Sequence, residues 1–314
     1  MDKAVLQSIR SNNHKALSRA ISLIENDLDL PPEYFIQLHP LIHDSLRIGI
    51  TGPPGVGKSS LVDQLITEFL SQQKSVGVIA VDPTSPFSNG ALLGDRIRMN
   101  HFYENENVFI RSMGSHKNLG GLAKKSQDVG DIISASGKDI VIFETVGIGQ
   151  AEYDVIKAVD ITLVVLMPGA GDEIQLMKAG LMEIADIFVI NKSDKPGGNR
   201  LAQNLQSLLH SFSNQKSLEP AIVNTIASTG DGIYDLCVLI KNQINKMKNN
   251  GIFDSKRLER HRERIRGLIQ DRLLEEFWSS RRLDQLKKNT QDIESIQSSP
   301  YEIAEKILVS FNHG

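Results

Sequence analysis

The chain has 314 residues, 40% hydrophobic and 23% charged, which suits one large α/β domain with appendages or two small domains. Its 35 Lys and Arg against 38 Asp and Glu give a formal charge of −3, so no positive field favours nucleic acid or an anionic membrane as partner. The lone cysteine, Cys237, excludes an internal disulfide, and apolar runs such as "IFVI" and "ITLVVLM" fall far below the roughly 18 residues of a membrane helix. The first residues lack the unbroken apolar stretch of a signal peptide, so the cytoplasm is the expected location.

Residues 3–25 carry apolar side chains at helical spacing, interrupted by "SNNH", which predicts a helical hairpin. The prolines of "DLPPEYFIQLHPLIHDS" mark turns or helix starts. From Leu46 onward, strand-length apolar runs ("RIGIT", "SVGVIAV", "DIVIF", "ITLVVLM", "DIFVI", "AIVNT") alternate with amphipathic segments. That alternation predicts an α/β fold, a mostly parallel sheet with helices on both faces. After about Asn250 the runs stop. "KRLERHRERIRGLIQDRLLEEFWSSRRLDQLKK" is densely charged with one apolar stripe, and "SSPYEIAEKILVSF" predicts a last helix with Ser299 as N-cap and Pro300 at its first position. The expected divisions are a helical segment over 1–43, an α/β domain over 44–250 and a helical extension over 251–314.

The segment from Gly52 through Pro53, Pro54, Gly55, Val56, Gly57, Lys58 and Ser59 to Ser60 reads "GPPGVGKSS", between a strand and an amphipathic helix. This is the G-x-x-x-x-G-K-[ST] phosphate loop in its required context, and it makes the domain over 44–250 an expected P-loop NTPase domain. Backbone N–H groups turn inward around an anion, Lys58 adds a point charge at the outer phosphates, and Ser59 offers a hydroxyl to Mg2+. An accidental glycine-rich turn is the competing reading.

Glu144 ends the strand of "DIVIFETVGIGQ", where nucleotide-hydrolysing folds usually place Asp to tend an ion. Its extra methylene lets it reach the ion from a strand end set slightly back. A capping or solvated carboxylate is the alternative. Gly147 offers a backbone N–H to the γ-phosphate with no side chain in the way. Asp82 and Asp95, in "VDPTSPFSNGALLGDRIRM", extend the same oxygen-donor set, which suits Mg2+. Arg96 and Arg98 read as anchors of that loop or as phosphate partners.

"DIFVINKSD" puts Asn191, Lys192 and Asp194 after a strand. N-K-x-D is the guanine-reading sequence of GTPases. Asp194 accepts the ring N–H and the exocyclic amine of guanine, and with adenine it would stay unpaired at about 1–3 kcal/mol or more. Lys192 can lie across the base, and Thr225, Ile226 and Ala227 sit where GTPases bring a backbone N–H to the guanine oxygen.

These residues together resemble the MeaB-type GTPases, a family that includes the MMAA proteins and proteins long labelled ArgK. The matching pieces are "ALSRAISLIE", "GPPGVGKSSL", "VDPTSPFSNGALLGDRIRM", "LGGLAKKSQDV", "ETVGIGQAE", "PGAGDEIQLMKAGLMEIADIFVINKSD" and "SPYEIAEKIL", spanning about residues 16 to 308. The resemblance implies a GTP- and GDP-binding chaperone of an adenosylcobalamin-dependent acyl-CoA mutase, most often methylmalonyl-CoA mutase, which gates cofactor delivery and protects the enzyme. It implies Mg2+ held around Ser59, Asp82, Asp95 and Glu144, a third switch from Asp172 to Lys178, and a C-terminal arm that makes a homodimer. The chain departs from the family pattern at Ser115–Asn118, at Asn89–Gly90 and at Ile226.

Signalling GTPases place a water-orienting Gln directly after the glycine of the third motif; here that position is Ile148, and Gln150 follows two residues later. Slow hydrolysis by the isolated chain, raised by a partner, is expected. Lys178 is the candidate cation for charge growing on the phosphates, against a solvated helix lysine; Gln150 is a weaker candidate, against a plain helix start. The rival functions are a GTPase metallochaperone, an ATPase or kinase linked to amino-acid transport, and a non-catalytic GTP-dependent scaffold. The first needs soft or imidazole ligands, and His39 and His43 are split by Pro40.

Overall fold

The structure is a computed structural model that describes residues 3–25, 32–42, 45–82, 99–114, 119–145, 157–169, 181–212, 218–291 and 293–312. Asp95, Gly147, Gln150 and Lys178 lie outside the described residues, and of Asp82 only the backbone is described. The chain divides into two compact units, Met1–Asp254 and Ser255–Gly314.

In the first unit, seven parallel strands stand in the order β3-β2-β4-β1-β5-β6-β7. They are β1 Leu46–Thr51, β2 Val76–Asp82, β3 Val108–Gly114, β4 Ile140–Thr145, β5 Ile161–Leu166, β6 Ile187–Ile190 and β7 Ala221–Asn224. β4 and β5 are buried at every position, as a sheet covered on both faces requires, and this is why they read as unbroken Val, Ile and Leu runs. β3 is the strand that the apolar-run reading passes over. Arg111 and Ser112 interrupt its pattern, yet it pairs with β2 from Val76↔Val108 to Asp82↔Gly114.

The helices are α1 Lys3–Arg10, α2 His14–Glu25, α3 Pro32–Leu38, α4 Lys58–Ser71, α5 Leu119–Ala135, α6 Leu181–Ile184, α7 Gly198–Phe212 and α8 Ile233–Asn249. On α4, Leu61, Val62, Leu65, Ile66 and Phe69 recur at helical spacing and join Ile48, Ile50, Ile142 and Leu163 in the core on one sheet face. The hairpin α1–α2 covers the opposite face with α5, where Leu17 and Ile21 pack with Val129, Ile133 and Phe143. Its turn is written in "SNN". Asn12 takes a left-handed φ of 56°, and Asn13 Oδ1 accepts the N–H groups of Lys15 and Ala16 at 3.0 and 3.1 Å, capping α2.

At the amino ends of the strands the polar groups pair among themselves. Arg47 is buried in an ion pair with Asp131, and its N–H donates to the Asp160 carboxylate at 2.9 Å. Lys138, 2% exposed, donates to the Glu106 carbonyl at 2.8 Å. Burial lowers its pKa to about 8, against the raising effect of Asp139 and Glu106.

The second unit contains most of α9 Ile252–Phe277, then α10 Ser280–Asn289 and α11 Pro300–Asn312. Trp278 and Ser279 break the charged stretch. Arg282 donates to the Phe277 carbonyl at 2.7 Å and stacks over the Phe277 and Phe311 rings. Ser299 caps α11 through the Tyr301 N–H at 3.3 Å. Among the described residues, no helix is long and apolar enough to cross a membrane.

Candidate functional site

β1 is the central strand, flanked by β4 and β5, and the chain leaves it for β2 on the far side of β4. Such a change of direction opens a crevice at the carboxyl ends of the strands, and the loop of residues 52–57 lies there between β1 and α4. Two glycines fix its path. Gly52 has φ 146°, and a Cβ on it would stand 2.1 Å from the Val165 carbonyl oxygen; Gly57 has φ 94°, and a Cβ there would meet Asn191 Nδ2 at 2.5 Å. No other residue type fits either position without moving backbone or the Asn191 side chain.

Lys58 is 7% exposed, and its ammonium donates to the carbonyl oxygens of Gly52 at 2.8 Å and Pro53 at 3.0 Å. The next residue, Ser59, donates its hydroxyl to Glu144 Oε1 at 2.7 Å. Glu144 is 4% exposed at the end of β4, in register with Ile50 of β1 and Ala80 of β2. One residue on, Thr145 Oγ1 and Thr51 Oγ1 are 3.0 Å apart and tie β4 to β1. Two of the four sequence-predicted groups for the ion, Ser59 in the first turn of α4 and Glu144 at the end of β4, are thus brought together.

Asn191 and Lys192 follow β6 and bond back to the phosphate loop. Asn191 is 1% exposed; its Nδ2 donates to the Val56 carbonyl at 2.8 Å, and its Oδ1 accepts the Thr225 hydroxyl at 3.2 Å and the Ala227 N–H at 3.0 Å. Lys192, at a left-handed φ of 56°, donates to the Gly55 carbonyl at 2.8 Å. Asp194 is exposed at the end of this segment. The Ile226 N–H donates to the Asp231 carbonyl. A guanine oxygen at Ala227 would therefore share that amide with Asn191.

Sequence reading treats Asn191 as part of a base-reading motif and misses that it is also a cross-link; the signal is a buried amide that needs several partners. It also misses Asp63, one helical turn beyond Ser59 on α4, which pairs with His101 at 3.3 Å. Burial pushes the Asp63 carboxyl above its usual range, and His101 opposes that. Cys237 belongs to the core on α8, where burial raises its thiol to about 12. Among the described residues, no three His, Cys, Asp or Glu side chains cluster as a metal site would.

A doubly wound sheet, a phosphate loop with its lysine and serine, and an N-K-x-D segment bonded to that loop define a P-loop GTPase. The family model described as methylmalonyl Co-A mutase-associated GTPase MeaB matches residues 17–282, and the chain belongs to this family. It is 39% identical over 307 residues to a putative GTPase of Pyrococcus abyssi, covering 97% of this chain and 95% of that protein. It is 31% identical over 272 residues to the mitochondrial methylmalonic aciduria type A homolog of Mus musculus, covering 85% and 66% respectively. A crystal structure described as a LAO/AO transport system kinase shares the fold, with a TM-score of 0.71, 23% identity and 99% coverage of both chains.

Proposed function

We propose that this chain is a magnesium-dependent cytoplasmic GTPase that serves as chaperone to an adenosylcobalamin-dependent acyl-CoA mutase, with methylmalonyl-CoA mutase as first candidate. It would gate cofactor loading and protect the mutase. The observation that carries the nucleotide part is the direct bonding of Asn191 and Lys192 to the Val56 and Gly55 carbonyls. One loop recognises phosphate and the other recognises the base, so guanine and triphosphate are read as one object. The family's printed description supports the mutase as partner. The same N-K-x-D segment weighs against an adenine-reading transport kinase, because Asp194 finds its two donors only on guanine.

Magnesium fits the donors present. Ser59 Oγ and Glu144 Oε1 are hard oxygen groups 2.7 Å apart, one of them a buried carboxylate beside the phosphate loop. With Asp82 and Asp95 they would hold the ion. When bound, it supplies charge neutralisation to the phosphates. Lys58 holds the outer phosphates, and the backbone of 52–57 orients them. Ile148 in the water-handling position supports slow hydrolysis by the chain alone, with Lys178 and Gln150 as candidates brought into use by the partner.

Homodimerisation belongs to the same reading. The second unit exposes Ile265, Leu268, Ile269, Leu273 and Leu274 and encloses an apolar groove of about 670 Å³ lined by Phe277, Trp278, Leu286, Ile293, Ile303 and Ile307. So much apolar surface on a 60-residue unit marks a protein contact.

Calorimetry of GTP against ATP, followed by turnover of wild type and Lys178→Ala with and without the mutase, tests the proposal. GTP is expected to bind at least about 100-fold more tightly, and the mutase to stimulate wild type more than the variant. Equal uptake of ATP overturns the guanine assignment, and a mutase that leaves turnover unchanged overturns the chaperone assignment. Equal stimulation of both proteins removes Lys178 from the mechanism.

A further inference from the structure

The sheet parts between β1 and β4 at their carboxyl ends. Among the described residues, backbone pairing between these strands runs from Leu46↔Ile140 to Ile50↔Glu144 and stops there. One residue on, Thr51 is in register with Val164 of β5, and Thr145 with Val81 of β2. At this level the sheet is two ladders, β1 with β5 and β4 with β2. The opening between them is the switch point at which a doubly wound sheet takes its ligand.

A pair of hydroxyls crosses the opening. Thr145 Oγ1 donates to Thr51 Oγ1 at 3.0 Å and lies 3.4 Å from the Ile50 carbonyl oxygen. Both threonines are 1% exposed. Strand alternation sets them on the face of Val141 and Phe143, whereas Glu144 continues the series of Ile140 and Ile142 on the α4 face. The pair therefore stands behind the Ser59–Glu144 contact, on the other side of the sheet. By shape alone, valine would suit either position. A hydroxyl buried there is tolerated only while it is paired, so each threonine accounts for the other.

The neighbours in sequence give the pair its significance. Thr51 is followed by Gly52, where the phosphate loop begins, and Thr145 follows Glu144, whose Oε1 accepts the Ser59 hydroxyl at 2.7 Å. A bond between the hydroxyls sets the distance from the base of the loop to the backbone that carries Glu144. Apolar contact is non-directional and would leave that distance loosely defined, whereas a hydrogen bond holds it within a narrow range. Magnesium demands near-ideal octahedral geometry from its oxygen donors, so it is sensitive to the difference.

We propose that Thr51 and Thr145 form a clasp that positions Glu144 against the phosphate loop, fixing the separation at which the Glu144 carboxylate and the Ser59 hydroxyl together serve a nucleotide-bound magnesium ion. Both are positioning residues, acting through Gly52 and Glu144. The proposal rests on the ion site assigned above to Ser59 and Glu144.

The test is calorimetry of the full chain with a non-hydrolysable GTP analogue, once in Mg2+ and once in EDTA. The ratio of the two affinities reads the ion site, and the EDTA affinity alone reads the phosphate loop and the base site. Thr145→Val and Thr51→Val are each expected to lower the ratio about 10-fold or more, the loss typical when an outer partner of a metal ligand is removed. Their affinities in EDTA should stay within about twofold of wild type, and the double variant should fall no further than either single one, because all three lose the same bond. Thr145→Ser keeps the donor and should keep the wild-type ratio. The proposal is overturned by a ratio within about twofold of wild type in either valine variant, or by losses that multiply in the double variant. Equal loss in the serine variant overturns it as well, and so does a parallel loss in EDTA, the mark of a general disturbance of the fold. A wild-type ratio of unity overturns the ion site itself, and so is distinguishable from failure of the clasp.

Discussion

Asn191→Ala separates the two jobs of the N-K-x-D segment. The substitution removes one donated bond, to the Val56 carbonyl, and two accepted bonds, from Thr225 Oγ1 and the Ala227 N–H, at a position 1% exposed. The Thr225 hydroxyl can rotate toward another acceptor, so its loss is small. The Val56 carbonyl and the Ala227 amide are fixed by the backbone, and each left unpaired costs about 1–2 kcal/mol. The expected loss is about 3 kcal/mol without any nucleotide, a fall of roughly 6–12 °C in unfolding midpoint for a unit of this size. Asn191→Asp is the control, since it keeps the acceptor but sets a carboxylate oxygen against the Val56 carbonyl. It should be at least as destabilising as alanine. Chemical and thermal unfolding of the nucleotide-free chain, with GTP calorimetry alongside, measures both jobs. An alanine variant as stable as wild type within about 0.5 kcal/mol, yet unable to bind GTP, would refute the cross-link and leave Asn191 a base reader only.

Glu144→Gln keeps the shape and a possible bond to Ser59 Oγ but removes the charge; Mg2+-dependent GTP turnover should fall by about 100-fold, with EDTA producing the same deficit in wild type, as steady-state assays can show. Lys138 tests linkage. Its folded pKa, about 8, lies below its unfolded value of 10.5, so the unfolded chain binds more protons between those values. Stability from this group should therefore rise as pH climbs from about 8 toward 10.5, and urea titrations of Lys138→Met should lack that rise. His14 adds a smaller rise at lower pH, because burial and then Lys138 depress its pKa below 6.5. Ile269→Glu with Leu273→Glu places charges on the exposed stripe of α9; if the proposed homodimer forms through it, light scattering should show a dimer for wild type and a monomer for the variant, with GTP affinity unchanged.

Much of this arrangement is legible from residue order alone, because local geometry and chemistry coincide there. Gly52 and Gly57 occupy positions where positive φ and a close neighbour both demand glycine. "SNNH" carries the residues that a turn and an N-cap require, and the structure puts Asn12 and Asn13 to those uses. β3 is obscured because Arg111 serves α2 on one face and Ser112 sits on the other, so two polar residues fall inside a strand for tertiary reasons. The Asn191 cross-link and the Asp63–His101 pair join residues 135 and 38 positions away, and nothing local announces a partner at that separation.

The two ends of the sheet solve their polar accounting differently, and the difference explains where a nucleotide can act. At the amino ends, Arg47 meets Asp131 and Asp160, and Lys138 meets a main-chain carbonyl; these are paired groups in a packed setting, where removing one partner strands the other. At the carboxyl ends, Lys58 rests on two loop carbonyls and Ser59 on Glu144, bonds between groups whose charge suits a phosphate or a cation better than it suits their present partners. Ligand binding there exchanges bonds of similar number while bringing opposite charges together. Asn191 and Lys192 are attached to that same loop, so on the proposed function a change at the phosphates would reach the N-K-x-D segment through two hydrogen bonds. On the proposed function, guanine discrimination by Asp194 and phosphate sensing by Lys58 would be parts of one mechanical element, and cutting the Asn191 bond should weaken GDP and GTP alike rather than change the preference between them.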